Sequence, residues 1–275
     1  MNRYRLRKIL NEVAFYCLVI LILLPFLFVF YWMILSSFKN NAQNMAMPPL
    51  WWVKPTLDNY REVFLNNPFL EYTKNSVIVA VGATSLGLIL GVPCAYGIAR
   101  SGKETIALAI LTARIVPGIS LLVPWFILFM RLKMIDTYPA LILTHVVTTV
   151  PLIVWIMIGF FEDFPPELED ASLVDGCNVY SSFWHIAIPV SRPGIAAAAI
   201  LAFIASWNNF MFSLVISSIK TKTLPVAVFS FMTYTEINWG GLTAAATIIM
   251  LPVLLLVLLI QKNIVRGLSL GAVKG

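Results

Sequence analysis

Glu162 to Pro193, EDFPPELEDASLVDGCNVYSSFWHIAIPVSRP, is a polar island in a chain that otherwise reads as lipid-soluble. It carries six of the thirteen carboxylates: Glu162, Asp163, Glu167, Glu169, Asp170 and Asp175. On either side lie apolar runs, residues 137–161 and 193–219, each long enough to cross about 30 Å of hydrocarbon. The island is therefore expected outside the bilayer, between two spans. Helical turns so rich in acid gain a membrane protein nothing unless another molecule reads them, which makes this stretch a docking surface.

Working outward, the 275 residues are 60% hydrophobic and only 12% charged, with a mean hydropathy of +0.87. A soluble domain of this size cannot bury so much apolar surface, so the solvent is lipid. Windows at residues 14–35, 76–99, 105–130, 137–161, 193–219 and 239–261 predict six transmembrane helices in a single membrane domain, 1–275. They lack the two-residue alternation of barrel strands, and backbone in lipid must pair within its own segment, so the fold class is all-α. The first window is too long for a signal-peptide core and has no small-residue cleavage site. An even number of spans places both termini on one side. Arg3, Arg5, Arg7 and Lys8 at one end, with Lys262, Arg266 and Lys274 at the other, make that side cytoplasmic. The formal net charge of +6 follows largely from this topology, and contact with anionic lipid accounts for it better than a nucleic-acid partner.

The loop of residues 36–75 is then extracytoplasmic, with Pro48, Pro49, Trp51, Trp52 and Pro55 at the interface. Leu57, Tyr60, Val63 and Phe64 follow at the spacing of a short amphipathic helix. A second external loop, 220–238, holds Pro225, Phe229, Phe231 and Tyr234 and predicts another short surface helix.

Signals for chemistry fail on inspection. Gly97 to Lys103, GIARSGK, matches the start of a phosphate-binding loop, but Glu104 stands where a magnesium-binding Ser or Thr is needed, and a membrane helix precedes it instead of a strand. His145 lies in a span, as a packed polar residue, and His185 on the island, so no Ser/His/Asp or Cys/His set forms. Cys17, Cys94 and Cys177 are odd in number and scattered, implying neither disulfide nor metal site.

Within the island, Pro165 and Pro166 suit the first turn of a helix, and the acids after them favour its positive end. On a helical wheel Leu168, Ala171 and Ser172 share a face that a partner can approach closely, while Glu169 and Asp170 point away from it. Gly176 permits a sharp turn. Tyr180, Phe183 and Trp184 fall at i, i+3, i+4, an aromatic face expected to anchor a second short helix on the bundle; Pro189 ends it, and Ser191 with Pro193 begins the next span. The pattern is helix, hinge, helix.

Asp170-Ala171-Ser172-x3-Gly176-x9-Ile186-x-Ile188-Pro189 resembles the EAA signature, EAA-x3-G-x9-I-x-LP, of permease subunits of bacterial ABC importers. The spacing agrees throughout; Asp170 replaces Glu, Ser172 the second Ala and Ile188 the Leu. Thr112 to Pro117, Ile135-Asp136-Thr137, Trp207 to Phe210 and the tail Val265 to Gly275 are similar to the carbohydrate-uptake group, most nearly its maltose-type second permease. The resemblance implies a type I importer permease fold whose loop 162–192 carries a cytoplasmic coupling helix, Leu168 to Gly176, seated in a cleft of an ATPase subunit. Leu168, Glu169, Asp170, Ala171, Ser172, Asp175, Gly176, Ile186 and Pro189 are its coupling residues. It also implies that the tail reaches toward the ATPase dimer, and that Asn209 stands where the family usually has an acid.

Four residues are candidates for the transport pathway. Arg114 in the third span costs roughly 2.5–3.5 kcal/mol in lipid and must face the bundle or snorkel, as a pathway residue or as a structural partner of carbonyls freed by Pro117. Trp207, Asn208 and Asn209 place an aromatic ring beside two amides, the chemistry that stacks on and hydrogen-bonds to sugars, although amides also join helices to each other. Pro117, Gly118, Pro124 and Pro151 are positioned to kink helices around a cavity.

The expected protein is a non-catalytic sugar permease of the bacterial cytoplasmic membrane. It binds no cofactor; ATP and magnesium are held by two partner ATPase subunits. Its other partners are a second, unlike permease and an extracytoplasmic solute-binding protein. A permease for a polyol phosphate, with Arg114 as anion contact, is the nearest alternative. A secondary carrier would need intramembrane carboxylates, and the six windows contain no Asp or Glu.

Overall fold

The computed structural model describes residues 3–233 and 236–270; within these, only the backbone of residues 3–6, 104, 113, 114, 166 and 260–270 is described. In chain order the helices are α1 (Arg3–Ser37), α2 (Asn41–Asn44), α3 (Asp58–Leu65), α4 (Phe69–Ser101), α5 (Glu104–Ile115), α6 (Gly118–Arg131) and α7 (Tyr138–Glu162). They continue as α8 (Pro166–Val174), α9 (Val179–Ser182), a π turn (Phe183–Ala187), α10 (Ile188–Val190), α11 (Arg192–Trp207) and α12 (Met211–Ile216). After them come α13 (Leu224–Ala227), a 3-10 turn (Val228–Phe231) and α14 (Trp239–Leu270). Extended pairing among the described residues amounts to one bridge, Met232 to Ile237.

Among the described residues, four helices are long and apolar enough to cross a membrane: Arg7–Ser37 within α1, α4, α7, and Trp239–Leu259 within α14. A fifth candidate is the pair Val179–Val190 and Arg192–Trp207, bent by 76°. The windows at 105–130 and 193–219 are therefore not continuous helices. Pro117 forces its predecessor out of the α region, and Val116 accordingly has ψ 119°, which separates α5 from α6. The other window breaks at Asn208 (φ −85°, ψ 2°), between α11 and α12.

Residues 69–227 and 251 onward form one compact unit, built on α4, α7 and α11. Its core holds Val92, Ala95 and Tyr96 of α4, Ile153, Met157 and Phe161 of α7, Phe183 and Ala187 of the π turn, and Ala198 and Ala202 of α11. Lipid is as apolar as leucine, so close packing rather than escape from water holds such helices together, and small residues permit it. Within this unit Gly194 is the tightest case: a Cβ there would lie 2.5 Å from Cγ of Phe160.

One end of this unit is tied by Asp136, which adopts φ +60° between α6 and α7. Its carboxylate accepts the N–H groups of Ser218, Lys220 and Thr221 at 2.9–3.0 Å and the Thr221 hydroxyl at 2.8 Å. Burial pushes this carboxyl up, but the bonds from Lys220, Ser218 and Thr221 prevail and bring it down to about 2. Beside it, Asn75 donates to the carbonyls of Lys220 and Lys222 and accepts from Tyr138 Oη.

The second unit comprises the residues up to Pro68 with Val228–Met250. The short helix expected from Tyr60 and Val63 is α3, where Val63 is fully buried and Tyr60 Oη pairs with Ser37 Oγ at 2.7 Å. Buried Asn59 donates to the carbonyls of Ser37 and Lys39. Lys39, also buried, donates to the Leu50 carbonyl and lies over the Trp32 ring; burial lowers its ammonium below the usual range. The helix expected in residues 220–238 takes the form of α13 and the 3-10 turn; Tyr234 lies outside the described residues.

Candidate functional site

The polar island forms α8 through α10. Pro165 (φ −59°, ψ 120°) precedes α8, and Glu167 and Glu169 occupy its positive first turn. Its carboxyl end closes as a Schellman turn. Gly176 takes φ +91°, its N–H donates to the Leu173 carbonyl at 3.1 Å, and the Cys177 N–H to the Ser172 carbonyl at 2.9 Å. Only glycine enters this region without a Cβ penalty. Asn178 then caps α9, its side-chain oxygen accepting the Ser181 N–H at 2.8 Å.

Glu169 points away from the exposed Leu168 and Ala171 and into the bundle. Arg100, in the last turn of α4, grips it with two bonds, Nε to Oε2 at 2.8 Å and Nη2 to Oε1 at 2.6 Å. The third arm of the guanidinium, Nη1, donates to the Phe161 carbonyl near the end of α7, and Tyr96 Oη donates to Glu169 Oε2 at 3.2 Å. The Tyr96 ring rests on Phe161 and Phe183, with centroids 5.4 and 4.8 Å away. Arg100 and Glu169 side chains are 27% and 13% exposed, so the pair is largely out of water. A helical wheel misses it because the partner lies 69 residues earlier in the chain.

Ser172 also turns inward, hydrogen-bonded to Ser182 Oγ at 2.8 Å and to the Glu169 carbonyl at 2.7 Å. It does not share an outward face with Leu168 and Ala171. Those two are exposed, together with Asp170, Leu173, Val174, Asp175 and Gly176. Of the three aromatics expected to anchor α9, only Phe183 does so; Tyr180 and Trp184 are 81% and 62% exposed. Phe183 meets the Tyr96 ring of α4, a partner that a helical wheel does not contain. Beyond it the Ile188 N–H donates to the Phe183 carbonyl five residues back, which makes the π turn. Pro189, which supplies no N–H, lies just beyond; it and Ile186 are half-buried.

The pathway candidates part company at the α11–α12 break. Trp207 is buried and stacks on Phe203 at 5.7 Å. Asn209 Oδ1 accepts the Phe212 N–H at 3.2 Å and so caps α12. Asn208 is exposed. Arg114 lies on α5 by its backbone, and its side chain is outside the described residues. So is Val265–Gly275: α14 carries the backbone to Leu270, with no described side chain beyond residue 259. Beside the break, buried His145 bonds Ser206 Oγ through Nδ1 (2.7 Å) and Ser213 Oγ through Nε2 (3.3 Å). A lone histidine in an apolar run was the one sequence signal for this bridge between α7, α11 and α12.

Among the described residues no three His, Cys, Asp or Glu side chains converge as metal ligands would. The island instead presents an outward surface on a helix held from behind.

Residues 84–270 match the family model for a "Binding-protein-dependent transport system inner membrane component". A probable ABC transporter permease protein, y4oR, of Sinorhizobium fredii is 34% identical over 99% of this chain and 98% of its own. The trehalose/maltose transport system permease protein MalG of Thermococcus litoralis is 34% identical over 98% of each. Among solved structures, a bacterial ABC transporter involved in the import of the acidic polysaccharide alginate superposes with a TM-score of 0.72, at 19% identity, over 95% of this chain and 98% of that one. That likeness carries the helical fold, and the sequence matches carry the kinship. From Thr84 to Leu270, and with relatives alike over nearly its whole length, this chain belongs to the binding-protein-dependent transport system inner membrane components.

Proposed function

We propose that this chain is one of two unlike permease subunits of an ATP-driven importer, taking a sugar from an extracytoplasmic solute-binding protein across the bacterial cytoplasmic membrane. Six spans serve it, with α5–α6 and α11–α12 each a broken helix acting as one span, and both termini and α8–α10 are cytoplasmic. Two partner ATPase subunits bind ATP and magnesium, and α8 docks in a cleft of one of them. ATP favours the closed ATPase dimer and the loaded binding protein favours the outward-open permease, so each shifts the same equilibrium.

One observation carries this reading: α8 is held from behind through Glu169 and Ser172, while Leu168, Asp170, Ala171, Leu173 and Val174 face outward. A helix so fixed moves as a piece with whatever grips its free face. The sugar substrate is supported by relatives named for trehalose/maltose, trehalose and diacetylchitobiose. Asn208 at the helix break offers an amide to sugar hydroxyls, with Arg114 as the second pathway candidate, while Trp207 and Asn209 shape the break.

The test is a reconstituted complex carrying Gly176→Pro, since proline cannot adopt the φ of +91° found there. The expected result is a complex that assembles but loses binding-protein stimulation of ATP hydrolysis, with uptake down by about tenfold or more, equivalent to roughly 1.4 kcal/mol. Normal transport by that variant, or a wild-type chain that copurifies with no ATPase, overturns the reading.

A further inference from the structure

We propose that Arg100 is the strut through which motion of α8 reaches the membrane helices. It is a positioning residue that never touches substrate or nucleotide. The inference deepens the importer reading above and rests on it.

The bonding pattern around α8 carries the inference. Among the described residues, the α8 side chains hydrogen-bonded to other elements are Glu169 and Ser172. Ser172 leads to Ser182 of α9, within the same island. Glu169 alone leads to a membrane helix. Arg100 meets it with one edge of the guanidinium, Nε and Nη2, and holds the Phe161 carbonyl with the remaining nitrogen, so one planar group joins α4, α7 and α8. The packing around it resists rotation: the guanidinium carbon lies 5.6 Å from the Tyr96 ring centroid and 5.5 Å from that of Phe164, the buried residue just before α8. A bidentate pair fixes angle as well as distance, which a single bond does not. Arg100 also stands in the last turn of α4, where its charge complements the carbonyl end. A push on α8 is therefore delivered to the ends of α4 and α7 together, the two helices that share the unit's core.

The experiment compares complexes reconstituted with both permeases, the ATPase subunits and the binding protein, using whichever of trehalose, maltose or diacetylchitobiose stimulates the wild type. The readout is sugar taken up per ATP hydrolysed, which a merely structural loss of yield does not change. Arg100→Ala and Glu169→Gln are each expected to lower this ratio at least tenfold, and the two together no further. Either single change strands a buried charge or donor, so a third variant keeps the test sound where they fail to assemble. Arg100→Met with Glu169→Leu replaces the pair by apolar groups, a change that folded proteins often accept without loss of stability. Its ratio is expected to fall at least fivefold, because apolar contact does not fix the angle. Arg100→Lys, with one bond in place of the fork, is expected to fall between that variant and wild type. Wild-type ratios in the Met/Leu variant beside a coupled wild type overturn the strut alone. A wild-type complex whose hydrolysis ignores the loaded binding protein overturns the importer reading, and the strut with it.

Discussion

Ser172 and Ser182 lie on opposite arms of the Gly176 turn, and their hydroxyl oxygens are 2.8 Å apart in a buried hydrogen bond. Ser172 is 5% exposed and Ser182 2%, so each is the other's replacement for water. The turn is thus locked twice, by its Schellman backbone bonds and by this pair across its mouth.

Removing one partner should therefore hurt more than removing both. Ser172→Ala leaves Ser182 buried without its partner, at a cost of about 1–3 kcal/mol, while the double alanine variant is close to wild type. Thermal unfolding midpoints of the detergent-solubilised complex check this, and equal losses in the single and double variants would refute the pairing.

Gly194 predicts a steric failure with a remedy. An alanine Cβ there would fall within 2.5–2.8 Å of three Phe160 ring carbons, an overpacking worth about 1–3 kcal/mol. Gly194→Ala is expected to lower the unfolding midpoint by several degrees, and adding Phe160→Ala to recover most of it. No recovery would place the strain elsewhere.

Asp136 predicts a pH dependence. Its carboxyl is depressed from the ordinary 3.8 to about 2, so the carboxylate's contribution is fully present above its unfolded value and is lost as pH falls through about 2. Asp136→Asn keeps the shape and forfeits the charge-assisted bonds, costing roughly 1–3 kcal/mol near neutrality. The gap in midpoint between wild type and variant should stay constant down to about pH 5 and narrow below pH 4. A gap unchanged at pH 3 would sink the assignment.

Much of the island's shape was legible in local chemistry. Two prolines, a run of acids and one glycine placed α8 and its turn, because caps and left-handed residues are properties of a few consecutive positions. The partners of Glu169 were not legible for the opposite reason: they are Arg100 and Tyr96, on another helix. Tyr180 and Trp184 were misplaced because what Phe183 packs on, Tyr96 of α4, belongs to a distant helix that a helical wheel does not contain. Hydropathy found the apolar windows at 105–130 and 193–219 but not their interruptions. Pro117 carried a readable warning in its effect on Val116, whereas Asn208 and Asn209 look in sequence like sugar ligands as much as a helix end.

The π turn also bears on how this lineage can change. It amounts to one residue inserted into a helical stretch, and deleting it would heal the backbone into an ordinary α-helix at little local cost. Yet the deletion would swing α8 and α9 by about 100° around the helix axis relative to α11. Glu169 would swing away from Arg100, and the outward face of α8 would aim somewhere new. Single-residue gaps between Phe183 and Ala187 should thus be rare among functioning descendants.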